Sequence, residues 1–257
     1  MDLFSLEGRT ALVTGGSRGI GRMIAAGFLD AGARVYINAR KAGPCVDAAA
    51  ALSARGPCLA LPMDISTVDG ARALAAEYAR HEPHLDILVN NAGAVWAAPL
   101  EAFPEQGWDK VMNLDVKAPF FVTQALLPAL KAAAAATGRR AKVINVASID
   151  GWSVSPVESY SYAASKAGLI HLTRRLALRL AGEGVVVSAI APGAFASDMN
   201  TVARDRPESL LPAIPAGRIG VDDDMAGAAI YLASRAGDYA VGTTLVVDGG
   251  VVLTRGC

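Results

Sequence analysis

The sequence predicts an α/β fold in which a doubly wound parallel sheet of about seven strands carries helices on both faces. Two observations lead to this prediction. Short apolar runs alternate with longer stretches of helical character along the whole chain. These runs are apolar at almost every position, which is typical of strands covered on both faces of a parallel sheet. No break in composition divides the 257 residues, so a single domain over 1–257 is predicted.

Each element follows from local composition. Short runs of apolar and β-branched residues predict strands at 10–13, 33–38, 58–62, 85–89, 142–146, 185–190 and 243–247. Segments rich in Ala and Leu predict helices at 20–31, 45–55, 68–81, 106–135, 158–181 and 222–233. Gly32 closes the first of these helices.

Overall composition argues against several classes of function. Hydrophobic residues make up 53% of the chain, ample for a buried core, and Lys plus Arg equals Asp plus Glu at 24 each. The zero net charge indicates neither a nucleic-acid partner nor a membrane-surface segment. The first five residues do not resemble a signal peptide, and no run of about 18 apolar residues indicates a membrane span. We therefore expect a cytoplasmic protein without a membrane partner.

The cysteines and histidines show no metal-binding spacing. Few and odd in number, the cysteines indicate reduced thiols; they are Cys45, Cys58 and Cys257. The histidines are interpreted as surface or helix residues; they are His81, His84 and His171. We expect no metal site.

A glycine-rich turn joins the first predicted strand to the first helix. Glycines allow the backbone to approach a ligand closely, and a helix N-terminus presents free N–H groups to a pyrophosphate. The spacing differs from the G-x-G-x-x-G of the longer-chain dinucleotide enzymes. A glycine-rich turn without a ligand is the alternative. The cofactor-binding residues predicted here are Gly15, Ser17, Arg18, Gly19, Ile20 and Gly21.

The end of the second strand indicates which cofactor binds. An acidic residue there would bind the ribose 2′-hydroxyl and repel a 2′-phosphate, but no acid occurs between Asp30 and Asp47. Arg40, helped by Arg18, can instead pair with the phosphate through its planar guanidinium. This favours NADP(H) over NAD(H). The alternative is that Arg40 is a solvated surface residue.

Tyr162 and Lys166 lie four residues apart in a predicted helix and therefore on one face, one turn apart. A phenol has an ordinary pKa of about 10, and a neighbouring ammonium favours the phenolate. The pair is a candidate proton donor to a carbonyl, or acceptor from an alcohol. On its own the spacing is weak evidence, because it arises by chance in many helices.

Several motifs occur in order along the chain: Thr14-Gly15-x-x-x-Gly19-x-Gly21, Asn90-Asn91-Ala92-Gly93, Ser148, Tyr162-x-x-x-Lys166 and Pro192-Gly193. In these motifs, which spread over essentially the whole chain, the sequence resembles the classical short-chain dehydrogenase/reductase family. The resemblance implies one Rossmann domain that binds a nicotinamide cofactor. It also implies a homotetramer, with Gly249-Gly250 and the last strand at the tetramer-forming edge.

The resemblance also implies site roles. Ser148 would hydrogen-bond the substrate oxygen, Tyr162 would act as general acid, and Lys166 would lower the tyrosine pKa and hold the nicotinamide ribose. Tyr160 is a competing phenol, but no lysine follows it at four residues. Further cofactor contacts implied by the family are Asp64 and Ile65 at the adenine, Asn91, Ala92 and Gly93 at the adenosine ribose, and Pro192, Gly193, Phe195 and Ser197 at the nicotinamide. Ser197 stands where the family often has threonine.

One position departs from the family. Counted from Trp108 and Phe120, Asp115 aligns with an active-site asparagine that supports a helix bend and a water chain to the lysine. Aspartate accepts the same hydrogen bonds but cannot donate, and it adds a charge. Asn113 would substitute only by a two-residue slip. We therefore include Asp115 among the catalytic candidates and expect the proton relay, not the hydride step, to be affected.

The substrate is the least defined feature. The fourteen positions from Ser148 to Tyr162, with the Tyr-Ser-Tyr start, resemble 3-oxoacyl reductases associated with rhamnolipid pathways. A substrate lid is expected at 195–215. Its apolar residues either face an acyl chain or pack the lid down; they are Phe195, Met199, Leu210, Leu211 and Ile214. Trp96 and Trp152 either line the pocket or pack in the core.

These observations predict NADPH-dependent reduction of a ketone to a secondary alcohol, with a 3-oxoacyl thioester or related carbonyl as the leading substrate. An NADP-linked alcohol, sugar-acid or steroid dehydrogenase is the first alternative. A catalytically idle NADP-sensing module is the second.

Overall fold

One parallel sheet organises the computed structural model, which describes residues 3–255. Within that part of the chain the sheet has seven strands in the order β3-β2-β1-β4-β5-β6-β7. They are β1 (Thr10–Thr14), β2 (Arg34–Ala39), β3 (Cys58–Pro62), β4 (Ile87–Asn90), β5 (Ala141–Val146), β6 (Val185–Pro192) and β7 (Thr244–Val247). All six pairings are parallel, so the predicted doubly wound sheet is confirmed.

The α-helices of residues 3–255 are α1 (Gly19–Asp30), α2 (Ala42–Leu52), α3 (Val68–Ala79), α4 (Glu105–Met112), α5 (Ala118–Thr137), α6 (Tyr160–Leu180), α7 (Thr201–Asp205), α8 (Asp222–Ala233) and α9 (Val251–Thr254). Five of the six predicted helices are found with ends shifted by a few residues, and the sixth, at 106–135, is divided into α4 and α5. The short helices α7 and α9 were not predicted from the sequence.

The predicted helix at 106–135 is wrong in one respect. A π-helical turn, Asn113–Lys117, separates α4 from α5. Pro119 follows at the start of α5 and has no N–H, so it cannot bond back to the preceding turn as an α-helix requires. Single π-turns of this kind are frequent at functional sites. Here the turn carries Asp115, which is fully buried.

Two apolar cores cover the two faces of the sheet. Because side chains alternate along a strand, Val13 and Ile37 face one core while Leu12 and Tyr36 face the other. Helices α1, α2 and α8 cover the first core through residues that include Ile24, Phe28, Cys45 and Leu232. Helices α3, α5 and α6 cover the second through residues that include Leu74, Tyr78, Leu126 and Leu180.

The continuous helical stretch Glu105–Thr137 is long and apolar enough to cross a membrane by length and composition alone. In this fold its apolar side chains have another use, since Val122, Leu126 and Leu130 are buried in the core against the sheet.

Cys45 and Cys58 are free, buried thiols, and burial raises the pKa of both, that of Cys58 to about 11. Cys257 lies outside the described residues. Between residues 3 and 255, no cluster of three or more His, Cys, Asp or Glu side chains is arranged to hold a metal ion.

The strand order reverses between β1 and β4, since β1 pairs with β2 on one side and with β4 on the other. At such a switch point the loops after the two strands diverge and leave a crevice at the carboxyl edge of the sheet. The glycine turn after β1 and the Asn91–Gly93 loop after β4 border this crevice. Ser148 follows β5 at the same edge.

Candidate active site

The glycine turn is held in a shape that only glycine allows. Gly15 has a φ of +65°, and a Cβ there would lie 2.7 Å from Nδ2 of Asn91. A Cβ on Gly21 would overlap the Gly15 carbonyl oxygen. Gly19 is also in the left-handed region, at a φ of +52°. These glycines therefore form a tight cradle of bare backbone.

Asn91 connects the loop after β4 to the glycine turn. Its Nδ2 donates to the backbone oxygens of Thr14 at 2.9 Å and Gly15 at 3.2 Å. The Thr14 hydroxyl in turn accepts from the backbone N–H groups of Asn91 at 2.9 Å and Ala92 at 3.1 Å. These bonds tie the loop after β4 to the end of β1 and to the glycine turn. They place Ala92 and Gly93 beside the turn.

The N-terminus of α1 is open to an anionic group. Arg18 occupies the N-cap position without a side-chain cap, and the first turn of the helix carries no acidic residue. The leading N–H groups and the positive end of the helix dipole are therefore unneutralised by the protein. Together with the glycine cradle, this arrangement fits the pyrophosphate of a dinucleotide.

The two arginines expected at the 2′-phosphate differ in their surroundings. Arg18 pairs with Asp198, its Nη1 lying 2.6 Å from Oδ2, so it bridges the glycine turn to the 195–215 segment. Arg40 lies exposed just after β2 and makes no ion pair within residues 3–255. Its charge is felt at Asp64, whose pKa is lowered mainly by the N–H of Ser66 and also by Arg40. Arg40 is thus the arginine that is available to an added phosphate.

Two side chains predicted at the cofactor point into the protein instead. Phe195 is buried in the first core and packs on Gly220, so it does not face an acyl chain either. Ile65 is buried in the second core. Only the backbone of these two residues is left to border a ligand. Ile214 is also buried, whereas Met199 is exposed, so the two ends of the 195–215 segment are packed down.

The segment after β6 approaches the glycine turn. Ser197 lies opposite Gly19, where an added Cβ would be 3.2 Å from the Ser197 Cβ. The Ser197 hydroxyl accepts from the N–H of Asn200 at 3.1 Å. Pro192 ends β6, and Gly193 packs closely on Asp248. The predicted nicotinamide segment thus meets the predicted pyrophosphate turn across the crevice.

Ser148, Tyr162 and Lys166 come together at the carboxyl edge. The Ser148 side chain acts on the Tyr162 phenol in the direction that lowers its pKa, and Lys166 Nζ lies 5.4 Å from the centre of the Tyr162 ring. The ammonium donates to the Val146 backbone oxygen at 3.0 Å. Tyr162 and Lys166 share one face of α6, as their spacing predicts.

Burial raises the pKa of Tyr162, while Lys166 and Ser148 act against burial. The expected lowering by Lys166 is therefore present but does not decide the direction. A raised pKa keeps the phenol protonated at neutral pH, which is the form that a general acid needs.

Asp115 reaches Lys166 directly. Its Oδ2 lies 3.1 Å from Lys166 Nζ, and its Oδ1 accepts from the N–H of Ala94 at 2.8 Å. Burial alone disfavours the Lys166 ammonium, but Asp115 and Tyr162 outweigh it and raise the pKa of Lys166. Burial raises the pKa of Asp115, and the ammonium acts against it. Where the family resemblance leads one to expect an asparagine, this protein has a carboxylate in a buried ion pair with Lys166.

A chain of buried polar side chains behind the site was missed in the sequence. Asn90 Nδ2 donates to Asn145 Oδ1 at 2.9 Å and to Thr123 Oγ1 at 3.1 Å, and Asn145 Nδ2 donates to Thr173 Oγ1 at 2.9 Å. These bonds link β4, β5, α5 and α6. The available signal was an asparagine in each of two largely apolar strands, where a buried amide needs partners.

The remaining aromatic candidates lie away from the Tyr162 phenol. Tyr160 donates to Glu158 Oε1 at 2.5 Å and lines an apolar groove of about 360 Å³. Trp152 is half-exposed, with the Arg174 guanidinium over its ring. Because Arg174 lies three turns beyond Tyr162 on α6, Trp152 does not line the site. Trp96 packs on Gly107 of α4.

Comparisons with known proteins agree with this geometry. The family model described as short chain dehydrogenase matches residues 9–208. The chain is 50% identical over 250 residues to the rhamnolipids biosynthesis 3-oxoacyl-[acyl-carrier-protein] reductase of Pseudomonas aeruginosa, covering 96% of this chain and 97% of that one. It is 38% identical to the 2-dehydro-3-deoxy-D-gluconate 5-dehydrogenase of Escherichia coli, covering 97% and 98%.

Among solved structures, the Pseudomonas aeruginosa RhlG/NADP active-site complex superposes with a TM-score of 0.94 at 48% identity, covering 98% of this chain and 99% of that chain. A gluconate 5-dehydrogenase from Burkholderia cenocepacia, in complex with NADP and tartrate, gives 0.90 at 34% identity, covering 98% of both. The fold, the ordered motifs and these matches together establish that the chain belongs to the short-chain dehydrogenase family.

Proposed function

We propose that the protein is an NADP(H)-dependent oxidoreductase that reduces a ketone to a secondary alcohol, with a 3-oxoacyl thioester or a related carbonyl as substrate. The observation that carries this proposal is that Ser148, Tyr162 and Lys166 converge at the sheet edge that also holds the glycine cradle. The similarity to a 3-oxoacyl-[acyl-carrier-protein] reductase supports the substrate class.

The bare backbone of the glycine cradle and the uncapped start of α1 would hold the pyrophosphate. Arg40 would pair with the 2′-phosphate, and Lys166 would hold the nicotinamide ribose. Asp64 at the adenine, Asn91 to Gly93 at the adenosine ribose, and Pro192 to Ser197 at the nicotinamide complete the proposed contacts. When bound, the cofactor supplies the hydride for the carbonyl carbon.

The protein side chains supply the proton chemistry. Ser148 would hydrogen-bond the carbonyl oxygen as negative charge develops on it. Tyr162, kept protonated by burial, would transfer its phenolic proton to the same oxygen, which completes the alcohol. Lys166 then faces a phenolate, which its ammonium stabilises until a proton returns. Asp115 would keep that ammonium charged and in place through their ion pair.

The direct test is NADPH oxidation with a panel of ketones. We expect turnover of a 3-oxoacyl thioester, and Tyr162→Phe should lower kcat/KM about 1,000-fold because the proton donor is lost. Tyr160→Phe is the matched control, since it removes a phenol two residues away and should retain activity. A larger loss in Tyr160→Phe than in Tyr162→Phe would reverse the assignment of the two phenols.

A sugar-acid dehydrogenase is the second candidate, because several relatives are gluconate or deoxygluconate dehydrogenases at 35–38% identity. The same panel separates the two candidates when it includes a keto-gluconate. Activity on the sugar acid alone would select the second candidate. Tight NADPH binding without turnover of any ketone would instead indicate an NADP-sensing module.

We further propose that residues 1–257 form one NADP-binding domain with a substrate lid at 195–215, and that the protein is a cytoplasmic homotetramer without a nucleic-acid or membrane partner. Gly249-Gly250 and β7 would lie at the tetramer-forming edge. Val246 in β7 and the neighbouring Tyr239 are exposed, which supports a contact there. Sedimentation equilibrium measures the assembly: a monomer would contradict this proposal.

A further inference from the structure

The C-terminal residues of the described chain contact the turn that carries Ser148. Arg255, just after α9, places Nη1 2.6 Å from Asp150 Oδ1 and 3.4 Å from Ser153 Oγ. Both partners of the ion pair are largely shielded, with side chains 27% and 19% exposed. A partly buried pair is screened less by solvent than a surface pair. The two residues are 105 positions apart in the sequence.

Asp150 acts on both hydroxyls of the site. Its backbone N–H donates to Ser148 Oγ at 3.1 Å, which orients the serine hydroxyl. Its carboxylate is one of the charged groups around Tyr162; the others are Lys166 on α6 and Asp115 in the π-turn. The lysine favours the phenolate, whereas both carboxylates disfavour it. Arg255 is the cation that pairs with the Asp150 carboxylate.

A small apolar cluster connects the same elements. Ile149, next to Ser148, packs with Ile214 from the 195–215 segment and Val251 from α9. Asp248 holds the start of α9, because its carboxylate accepts from the N–H groups of Gly250 at 2.8 Å and Val252 at 2.7 Å. Arg255 therefore follows a helix whose start is fixed by hydrogen bonds.

We propose that Arg255 is a positioning residue for the active site: through Asp150 it holds the turn that carries Ser148 and balances the negative charge that the Asp150 carboxylate adds to that turn. The proposal rests on the roles given above to Ser148 and Tyr162. It predicts opposite effects for the two halves of one ion pair. Removing Arg255 leaves the Asp150 carboxylate unbalanced and makes Tyr162 harder to ionise. Removing the Asp150 charge makes Tyr162 easier to ionise.

The experiment titrates the Tyr162 phenol directly, by NMR of protein labelled with ¹³C at the tyrosine Cζ, with Tyr162→Phe identifying the signal among the six tyrosines. Arg255→Gln should raise the titration midpoint by about half a pH unit, and Asp150→Asn should lower it by a similar amount. Arg255→Lys, which keeps the charge, should remain close to the unmodified protein. This readout does not require a known substrate, so it is independent of the proposed reaction.

A second measurement is kinetic, with the ketone found active in the panel. Arg255→Gln should lower kcat about three- to tenfold with an unchanged Kd for NADPH. The alkaline limb of the variant's pH–rate profile should move to higher pH. If Arg255→Gln and Asp150→Asn shift the phenol in the same direction, or neither shifts it, the proposal is overturned. Failure of Arg255→Lys to retain the unmodified midpoint would also overturn it. Should Arg255→Gln not fold, Asp150→Asn and Arg255→Lys still decide the outcome.

Discussion

Two ion pairs border the crevice, and they differ most in how far water reaches them. Lys166 and Asp115 lie 3.1 Å apart with side chains 6% and 0% exposed. Arg18 and Asp198 lie 2.6 Å apart with side chains 74% and 49% exposed. The shorter pair is the one that water screens, so distance alone ranks them wrongly. Burial makes the first pair costly to break. Exposure to water leaves the second pair free to exchange partners.

The difference matches the chemistry proposed at each place. A catalytic ammonium has to stay charged and stationary, and a buried carboxylate with a second hydrogen bond to Ala94 achieves this. An arginine at the entrance of the proposed cofactor site has to release its carboxylate partner when the cofactor phosphate binds. Arg18 is held only by a surface contact, and Asp198 also pairs with Arg204 at 2.7 Å.

The sharpest contrast concerns stability. Asp115→Ala leaves Lys166 buried without its carboxylate and should lower the free energy of unfolding by about 3 kcal/mol. Asp198→Ala breaks the exposed pair and should leave the unfolding midpoint in urea unchanged within error. Urea titration of both variants measures the difference, and equal losses would show that burial does not separate the two pairs.

The preference for NADPH over NADH tests the role of the exposed Arg18–Asp198 pair. Because Arg18 is engaged with Asp198 while Arg40 is not, Arg40 should carry most of the discrimination. NADPH should bind at least about 1.4 kcal/mol more tightly than NADH, a factor of ten. Arg40→Asp should abolish or reverse this preference, and Arg18→Ala should weaken it less. Calorimetric titration with both cofactors is the measurement, and equal affinities in the unmodified protein would refute the assignment.

The buried carboxylate can be replaced at nearly equal volume. Asp115→Asn restores the family's residue and should change kcat/KM by less than about tenfold, or ~1.4 kcal/mol of barrier. The negative charge of Asp115 raises the pKa of Tyr162, so its removal lowers that pKa. Reduction needs the protonated phenol, and the alkaline limb of the pH–rate profile should therefore move to lower pH. A hundredfold loss would mean that the carboxylate itself moves protons.

The smallest effect is expected at Asp198. Asp198→Asn releases Arg18 toward the phosphate and should tighten NADPH binding only about twofold, since surface pairs contribute little. NADH, which lacks the phosphate, should be unaffected and serves as the control ligand. Tighter binding of NADH as well would show that Asp198 acts through the shape of the 195–215 segment and not through Arg18.

The sequence predicted the sheet and the glycine turn well, because both are written in local patterns: apolar runs, and glycines at one strand end. It predicted that Tyr162 and Lys166 share one helix face for the same reason, since residues four apart lie about one turn apart. The π-turn at Asp115 could not be predicted from helical periodicity, because it depends on the proline that follows and on a partner 51 positions away.

Apolar residues in loops were harder to assign. Phe195 and Met199 are equally apolar in sequence, yet the structure buries the first in the core and exposes the second. The ion pair between Arg255 and Asp150 has no sequence signature, because the tertiary fold and not the sequence spacing decides which charged residues meet. Buried asparagines in strands, such as Asn90 and Asn145, were visible but uninterpreted.

The hydrogen bonds from Asn91 to Thr14 and Gly15 span 77 and 76 residues of chain. A folding intermediate that lacks the pairing of β1 with β4 therefore has no cradle, since so long a loop must close before the contact exists. NADP(H) binding at the cradle would then select the completed fold over every partly folded form. The cellular supply of cofactor would then stabilise the enzyme against unfolding by heat and against proteolysis. Above the dissociation constant, the free energy of unfolding would rise with the logarithm of the free cofactor concentration.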